Sequence, residues 1–131
     1  MKRLMTLLLA TTLTLYASLF SEAMRAYKRG NFEEAKSLFE TALEEDGAEQ
    51  ARFFLGMLYF RGQGVSKDLV KAAAYLKKAA ENGNARAYCY LAEIFLSQNH
   101  EIEKAKTLLE KGMAAGASEC KTIAAQYKLS L

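Results

Sequence analysis

The sequence repeats itself with a period of 33 to 37 residues, and this repetition constrains the fold more than any other feature. Leu55 matches Leu91 at an offset of 36 residues. Leu76 matches Leu109 at an offset of 33, and Phe39 matches Leu76 at an offset of 37. Periods of this length are typical of solenoids in which each unit is a pair of helices joined by a turn. The sequence therefore predicts a stack of helical hairpins.

The composition favours helices throughout. The chain has 131 residues, contains no proline and is 51% hydrophobic, which suffices for one domain with its own core. Glycine weakens a helix by about 1 kcal/mol relative to alanine, so we expect Gly56 to serve a close contact between helices. The predicted helices are 18–29, 32–45, 48–61, 68–81, 85–97, 101–114 and a C-terminal capping helix at 117–128.

The stretch GQGV at residues 62–65 lies between two of these helices. A phosphate-binding loop would need a preceding strand and either a third glycine or a Gly-Lys-Ser/Thr sequence, and here a helix precedes it. The stretch instead predicts a turn. In that turn Gly62 ends one helix, Gly64 takes a positive φ, and Asp68 or Ser66 caps the next helix.

From Ala51 to Gly83 the sequence reads A-x-x-x-L-G-x-x-Y-x-x-G-x-G-V-x-x-D-x-x-K-A-x-x-Y-L-x-K-A-A-x-x-G. This pattern resembles a Sel1-like repeat, a relative of the tetratricopeptide repeat. The preceding segment, AYKRGNFEEAKSLFETALEEDGAEQA, resembles a tetratricopeptide-like unit. The unit from Ala85 to Gly116 departs from the pattern, because its loop is three residues shorter and lacks Gly-x-Gly-Val. The resemblance implies an all-α fold, a right-handed α-α superhelix (solenoid) of helical hairpins.

The resemblance also implies a function, an adaptor or scaffold that binds a partner protein or peptide through a concave groove. In tetratricopeptide-like solenoids the first helix of each pair lines that groove. Phe53, Met57 and Phe60 follow the spacing of one helix face, and this apolar strip either binds a partner or packs against the neighbouring unit. Carried over by position, the groove residues are Gln50, Phe53, Met57, Phe60, Arg61, Arg86, Cys89 and Glu93.

The N-terminus has the pattern of a secretory signal peptide. Lys2 and Arg3 precede an apolar run that extends to about Phe20. The residues 21–23 fit the small-x-small cleavage rule, but a cut there would divide a predicted helix, so we expect cleavage after Ala17. Export to the periplasm or the medium follows from this interpretation. The alternative is an uncleaved anchor on a membrane-tethered accessory subunit.

The chain is accordingly divided into five segments. They are a signal peptide at 1–17 (or to about 23), a tetratricopeptide-like hairpin at 18–47, a Sel1-like repeat at 48–83, a degenerate Sel1-like repeat at 84–116 and a capping helix at 117–131. Without Lys2 and Arg3, 16 basic residues face 15 acidic ones. Since the two signs are mixed along the chain, we expect no nucleic-acid partner, and membrane binding only if the N-terminal segment is retained.

No residue set predicts catalysis, a cofactor or a metal. Ser118 and Lys121 form a Ser-x-x-Lys string of the kind found in serine β-lactamases, but the companion Ser-Asp-Asn and Lys-Thr-Gly sequences are absent. A cell-wall-linked or β-lactamase-like hydrolase is the rival class, since some cysteine-rich Sel1-like proteins are described as β-lactamase-like. His100 is the single histidine, beside Glu101 and Glu103, and no second strong ligand lies at a usable spacing.

The two cysteines, Cys89 and Cys120, occupy nearly equivalent positions in neighbouring units. Adjacent parallel helices can bring such residues within the roughly 7 Å between Cα atoms that a disulfide requires. The alternative is that both are small buried hydrophobes. The sequence leaves both interpretations open, because the cysteine-rich Sel1-like proteins use a different spacing.

Overall fold

The computed structural model describes residues 19–99 and 101–131, which are helical apart from short turns. No strand occurs in these ranges, and the predicted all-α fold class is confirmed. The predicted signal peptide and His100 lie outside the described residues. The helices are α1 (19–28), α2 (Phe32–Asp46), α3 (Ala51–Arg61), α4 (Leu69–Glu81), α5 (Ala85–Ser97), α6 (Ile102–Ala114) and α7 (Glu119–Gln126).

The chain divides into two compact units, one ending at Lys67 and the other beginning at Asp68. The core of the first unit is aromatic. Phe39 of α2 is fully buried and stacks on Phe54 of α3, with ring centroids 5.2 Å apart. Tyr27 of α1 meets Phe54 edge-on at 5.5 Å, and Phe20 lies 5.7 Å from Phe39. These ring pairs join α1, α2 and α3, and each contributes about 1 kcal/mol beyond its buried area.

The stretch at 62–65 is a turn, as its sequence predicts. Gly62 follows the last residue of α3 with φ +64°, and Gly64 has φ +70°. A Cβ on Gly64 would come within 2.6 Å of the Phe32 carbonyl carbon and 2.7 Å of the Glu33 nitrogen, so the turn lies directly against the start of α2. Glycine is therefore needed here both for the backbone angle and for the close approach.

In the second unit, α5 packs against α4, α6 and α7. Asp68 caps α4 as predicted, because its carboxylate accepts hydrogen bonds from the backbone nitrogens of Val70 and Lys71, both at 3.0 Å. The buried core draws on α5, α6 and the C-terminal segment. Its members are Cys89, Ala92, Leu96, Ala105, Leu109, Ala117, Cys120, Ile123 and Ala124.

Cys89 and Cys120 form a disulfide that joins α5 to α7, with Cα atoms 4.7 Å apart. Both residues are fully buried. Gly112 of α6 lies against this bridge, since a Cβ at its position would collide with the Cys120 sulfur and lie 3.1 Å from the Cys89 sulfur. The close packing of three helices around the disulfide thus explains a glycine inside α6, where it otherwise lowers helix stability.

The turn between α5 and α6 uses residues other than glycine in the left-handed region. Asn99 has φ +54° and Glu101 has φ +53°. The side chain of Glu101, at the N-cap position of α6, makes no capping hydrogen bond. The shorter loop of this unit therefore costs strain that the glycine-containing turn at 62–65 avoids.

Candidate binding groove on the second unit

The apolar strip predicted on α3 is not exposed. Phe53 and Met57 are 3% and 2% exposed, and Phe60 is half-buried. Leu55 and Leu58 are also buried, on other faces of the same helix. A helix that is apolar all round is buried rather than amphipathic, so the prediction of an open binding strip at Phe53 and Met57 is wrong. Gln50 and Arg61, at its ends, are exposed.

The C-terminal segment lies beside the groove residues predicted on α5. The Nε of Arg86 lies 2.6 Å from the Oε1 of Glu119 at the start of α7. One turn further along α5, Cys89 is bonded to α7. Arg86 remains exposed beside α7 and Glu93 is half-buried, so the assignment of these two residues to a groove stays a prediction.

Glu93 faces the end of this same segment. Burial, and in second place the negative charge of Glu93, raise the pKa of Tyr127 above its ordinary value of 10.0. The phenol is thus held in its neutral form. Glu93 and Tyr127 mark the point where the residues after α7 return to α5, on the side of α5 that carries the disulfide.

A concave surface that the sequence analysis missed lies over the opposite side of α5, between α4 and α6. Its volume is about 470 Å³, within the range of roughly 300–1,000 Å³ that is usual for binding sites. It lies entirely within the second unit. We call it the α5 groove, and its lining residues are Ala73, Ala74, Lys77, Ala80, Glu81, Tyr88, Leu91, Phe95, Lys104, Leu108 and Lys111.

The floor of the α5 groove is apolar. Tyr88, Leu91 and Phe95 follow one another at intervals of three and four residues, so they form one face of α5. Leu91 is buried, whereas Tyr88 and Phe95 are only half-buried, as is Leu108 of α6. Since the rings and the leucine keep part of their surface in the groove, a ligand could remove that surface from water.

The wall formed by α4 is low because it is built from alanines. Ala73, Ala74 and Ala80 line it. Val70 lies one turn before Ala74 on the same face of α4 and is 79% exposed. The apolar surface therefore continues past the end of the groove along α4.

The rim of the α5 groove carries more positive than negative charge. Lys77 comes from α4, and Lys104 and Lys111 come from α6, whereas Glu81 is the single carboxylate among the lining residues. The Nζ of Lys104 lies 4.8 Å from the centre of the Phe95 ring and 3.1 Å from a carboxylate oxygen of Glu101. Lys104 is thus positioned over the floor by a ring and an ion pair.

The residues considered for catalysis lie outside the α5 groove. Both residues are exposed, Ser118 at the N-cap position of α7 and Lys121 in its first turn. Among residues 19–99 and 101–131, no three His, Cys, Asp or Glu side chains are grouped so that they could hold a metal ion.

One signal in the sequence indicated the groove. Phe95 follows Leu91 after four residues and Tyr88 after seven, which is the spacing of one helix face. The alanines of α4 differ in burial, since Ala72 is fully buried whereas Ala74 is exposed. Periodicity identifies the apolar face but does not show which part of it a neighbouring helix leaves open.

Comparison with known proteins identifies the repeats. A family model described as Sel1 repeat matches residues 49–84 and 85–116. The chain is 36% identical over 77 residues to the Sel1-repeat-containing protein YjcO of Escherichia coli (strain K12), an alignment that covers 57% of this chain and 32% of that protein. The uncharacterized protein YjcO of Shigella flexneri matches to the same extent. The chain thus spans about a third of the length of these curated relatives.

A solved structure shows the same fold. The crystal structure of a Sel1 repeat protein from Oxalobacter formigenes matches with a TM-score of 0.66 and 25% sequence identity. The match covers 80% of this chain and 46% of that chain. Helical hairpins of this repeat type are therefore the architecture that the chain adopts.

Proposed function

Because the chain belongs to the Sel1 repeat family, in which repeats mediate protein–protein interactions, we propose that it is an exported adaptor that binds a partner protein through the α5 groove. The family implies binding but does not identify the surface, since a fold carries many functions. The partially exposed floor of the groove supports this surface. In this proposal the protein brings partners together without catalysing a reaction.

The single observation that carries the proposal is the group of half-buried side chains on the groove floor. Tyr88, Phe95 and Leu108 keep apolar surface open in a concavity of about 470 Å³. Concave apolar surfaces with a polar rim are typical of interaction sites. The apolar side chains of a partner segment would bury this surface, which favours binding by about 25 cal/mol for each Å² removed from water.

Two features support export as the setting. The N-terminal pattern is that of a signal peptide, and the disulfide between Cys89 and Cys120 is of a kind that persists in oxidising compartments. A cut after Ala17 would leave α1 whole, whereas a cut after Ala23 would remove part of it, and Ala23 is fully buried. N-terminal sequencing of the exported protein should therefore show a start at Ser18, and a retained Met1 would contradict the proposal of export by cleavage.

None of the helices in the described part of the chain is long and apolar enough to cross a membrane.

Site-specific photo-crosslinking in cells tests the groove as the binding surface. A photoreactive amino acid at the exposed position Ala74, in the groove wall, should crosslink to a partner, and the same group at the exposed position Ala125 of α7 should not. Equal crosslinking from both positions would show that the groove is not the binding surface.

A charge placed on the floor gives a second test with the partner that the crosslink identifies. Leu108→Glu should weaken binding by at least about tenfold, since it puts a carboxylate against an apolar contact. Thr107→Glu, at an exposed neighbouring position that does not line the groove, is the matched control and should leave the affinity unchanged. Circular dichroism establishes that both variants are folded. Equal affinity of the Leu108→Glu variant and the unchanged protein would overturn the assignment.

A further inference from the structure

Resting on the proposed function, we infer that the α5 groove takes an acidic amphipathic helix of the partner protein. The apolar side chains of this partner helix contact Tyr88, Phe95 and Leu108, and the carboxylates of the helix lie toward Lys77 and Lys111. The proposal therefore specifies the chemistry of the partner, which the family assignment does not do.

The charge on the rim comes from both walls. Lys77 lies on α4 and Lys111 on α6, and α5 lies between the two helices because it packs against each of them. A segment lying along the floor would thus have an ammonium group on either side. Glu81 is the single carboxylate among the lining residues, against three lysines. Complementary charge of this kind selects acidic partners and speeds their association.

The three lysines do not contribute equally. Lys104 already has a carboxylate from Glu101 at 3.1 Å and lies over the Phe95 ring. A partner carboxylate would have to share Lys104 with Glu101, so an ion pair with Lys104 would contribute less to the binding free energy. Lys77 and Lys111 are the residues on which recognition of negative charge depends.

The length of the floor fits a short helix. Tyr88 and Phe95 are seven residues apart on α5, which corresponds to about 10 Å at 1.5 Å per residue. A partner helix presents apolar side chains at positions i, i+3 and i+7 over the same distance. The alanines of α4 leave room for such a helix to approach, and the exposed Val70 extends the contact at one end.

The N-terminal segment of the chain itself has the wrong charge for this groove. Residues 1–20 contain Lys2 and Arg3 and no acidic residue. The apolar side chains of this segment could pack on the groove floor, but the positive charges of Lys2 and Arg3 would be repelled by the lysines of the rim. The groove therefore favours a separate acidic segment over this part of the chain.

The test uses three synthetic peptides and the full mature protein. Each peptide has about 14 residues, or four helical turns, with leucines at i, i+3 and i+7 and with glutamate, glutamine or lysine at the other positions. Fluorescence anisotropy gives the dissociation constants. The glutamate peptide should bind about tenfold more tightly than the glutamine peptide, and the lysine peptide most weakly. Added salt should reduce this difference, because it screens exposed charges.

Charge reversal in the protein gives the matched comparison. The double variant Lys77→Glu/Lys111→Glu should invert the preference, so that the lysine peptide binds more tightly than the glutamate peptide. The double variant Lys78→Glu/Lys121→Glu changes the net charge by the same amount at exposed positions outside the groove. It should keep the preference for the glutamate peptide. Circular dichroism spectra establish that both variants are folded.

The outcomes separate this inference from the proposed function. Equal binding of the glutamate and glutamine peptides would contradict an acidic partner, and so would equal effects of the two double variants. In either case, crosslinking at Ala74 would still support the groove as the binding surface. Failure of all three peptides to bind would also contradict an acidic partner. The protein could instead self-associate through Lys77 and Lys111, in a dimer that the glutamate peptide does not dissociate. That result would show that the groove binds a second copy of this chain and not an acidic helix.

Discussion

The two Sel1 repeats, residues 49–84 and 85–116, each consist of two helices and a turn, but they stabilise these parts differently. In the first repeat Gly62 and Gly64 supply the left-handed backbone, and Asp68 caps the following helix. In the second repeat Asn99 and Glu101 take left-handed angles, and no side-chain cap forms at Glu101. The first turn is thus locally favourable, and the second is strained.

The second repeat has a covalent link that the first lacks. The disulfide joins its first helix, α5, to α7, and Gly112 makes room for the sulfur atoms. At the repeat offset of 33 residues, Gly112 corresponds to Ala79 of the first repeat. A unit with a strained turn can thus be stabilised by contacts outside that turn, so the loss of the repeat signature in a loop does not predict loss of the fold.

Removal of the disulfide should have the largest effect. The bridge closes a loop with a sequence separation of 31 residues, and a loop of this size stabilises the folded state by about 3.5 kcal/mol in the chain-entropy model. The variant Cys89→Ala/Cys120→Ala should lose this amount in urea unfolding followed by circular dichroism. As a control, a reductant should lower the unfolding midpoint of the unchanged protein and leave that of the variant unaltered. A loss below about 1 kcal/mol would mean that packing alone holds α7.

Gly64→Ala should have the next largest effect, in the first repeat. Alanine at φ +70° costs about 1 kcal/mol, and the clash of its Cβ with the backbone of α2 costs about 1–2 kcal/mol more. The matched control is Gly83→Ala, since Gly83 has φ +92° but no atom within 4 Å of an added Cβ. Equal losses in the free energy of unfolding for the two variants would contradict a close contact between the turn and α2.

Glu101→Gly should have the smallest effect, and it should stabilise the protein. Glycine at φ +53° removes the strain of the second turn and forfeits only the exposed ion pair with Lys104, for a net gain of about 0.5 kcal/mol. Glu103→Gly, two residues further along in α6, should instead destabilise the protein by about 1 kcal/mol. If both substitutions lower the free energy of unfolding, the second turn is not strained.

Much of the fold was predictable from local sequence signals. The limits of α5 were predicted exactly at 85–97, and those of α4 and α6 to within one residue, because caps, turn glycines and apolar periodicity are all local. The start of α3 was predicted three residues too early, at 48 instead of Ala51. No proline or capping side chain marks that boundary, and Gln50 makes no capping hydrogen bond.

The candidate site was predicted less well, because a binding surface depends on what is left uncovered. Positional analogy assigned the faces of Phe53 and Arg86 to a groove. In the structure the first is buried, and the second is paired with Glu119 of α7. Arg86 stays exposed beside α7, and positional analogy by itself does not show which side chains a later helix contacts.

The sequence by itself determined the repeat period, the helices and the family, since each follows from which residues recur at which spacing. The tertiary structure alone decided that Cys89 and Cys120 form a bridge, that Gly112 accommodates it and that the open apolar surface lies over Tyr88 and Phe95. The physical reason is that periodicity reports which face of a helix is apolar. Whether that face is covered depends on the distance to residues far along the chain, which only packing sets.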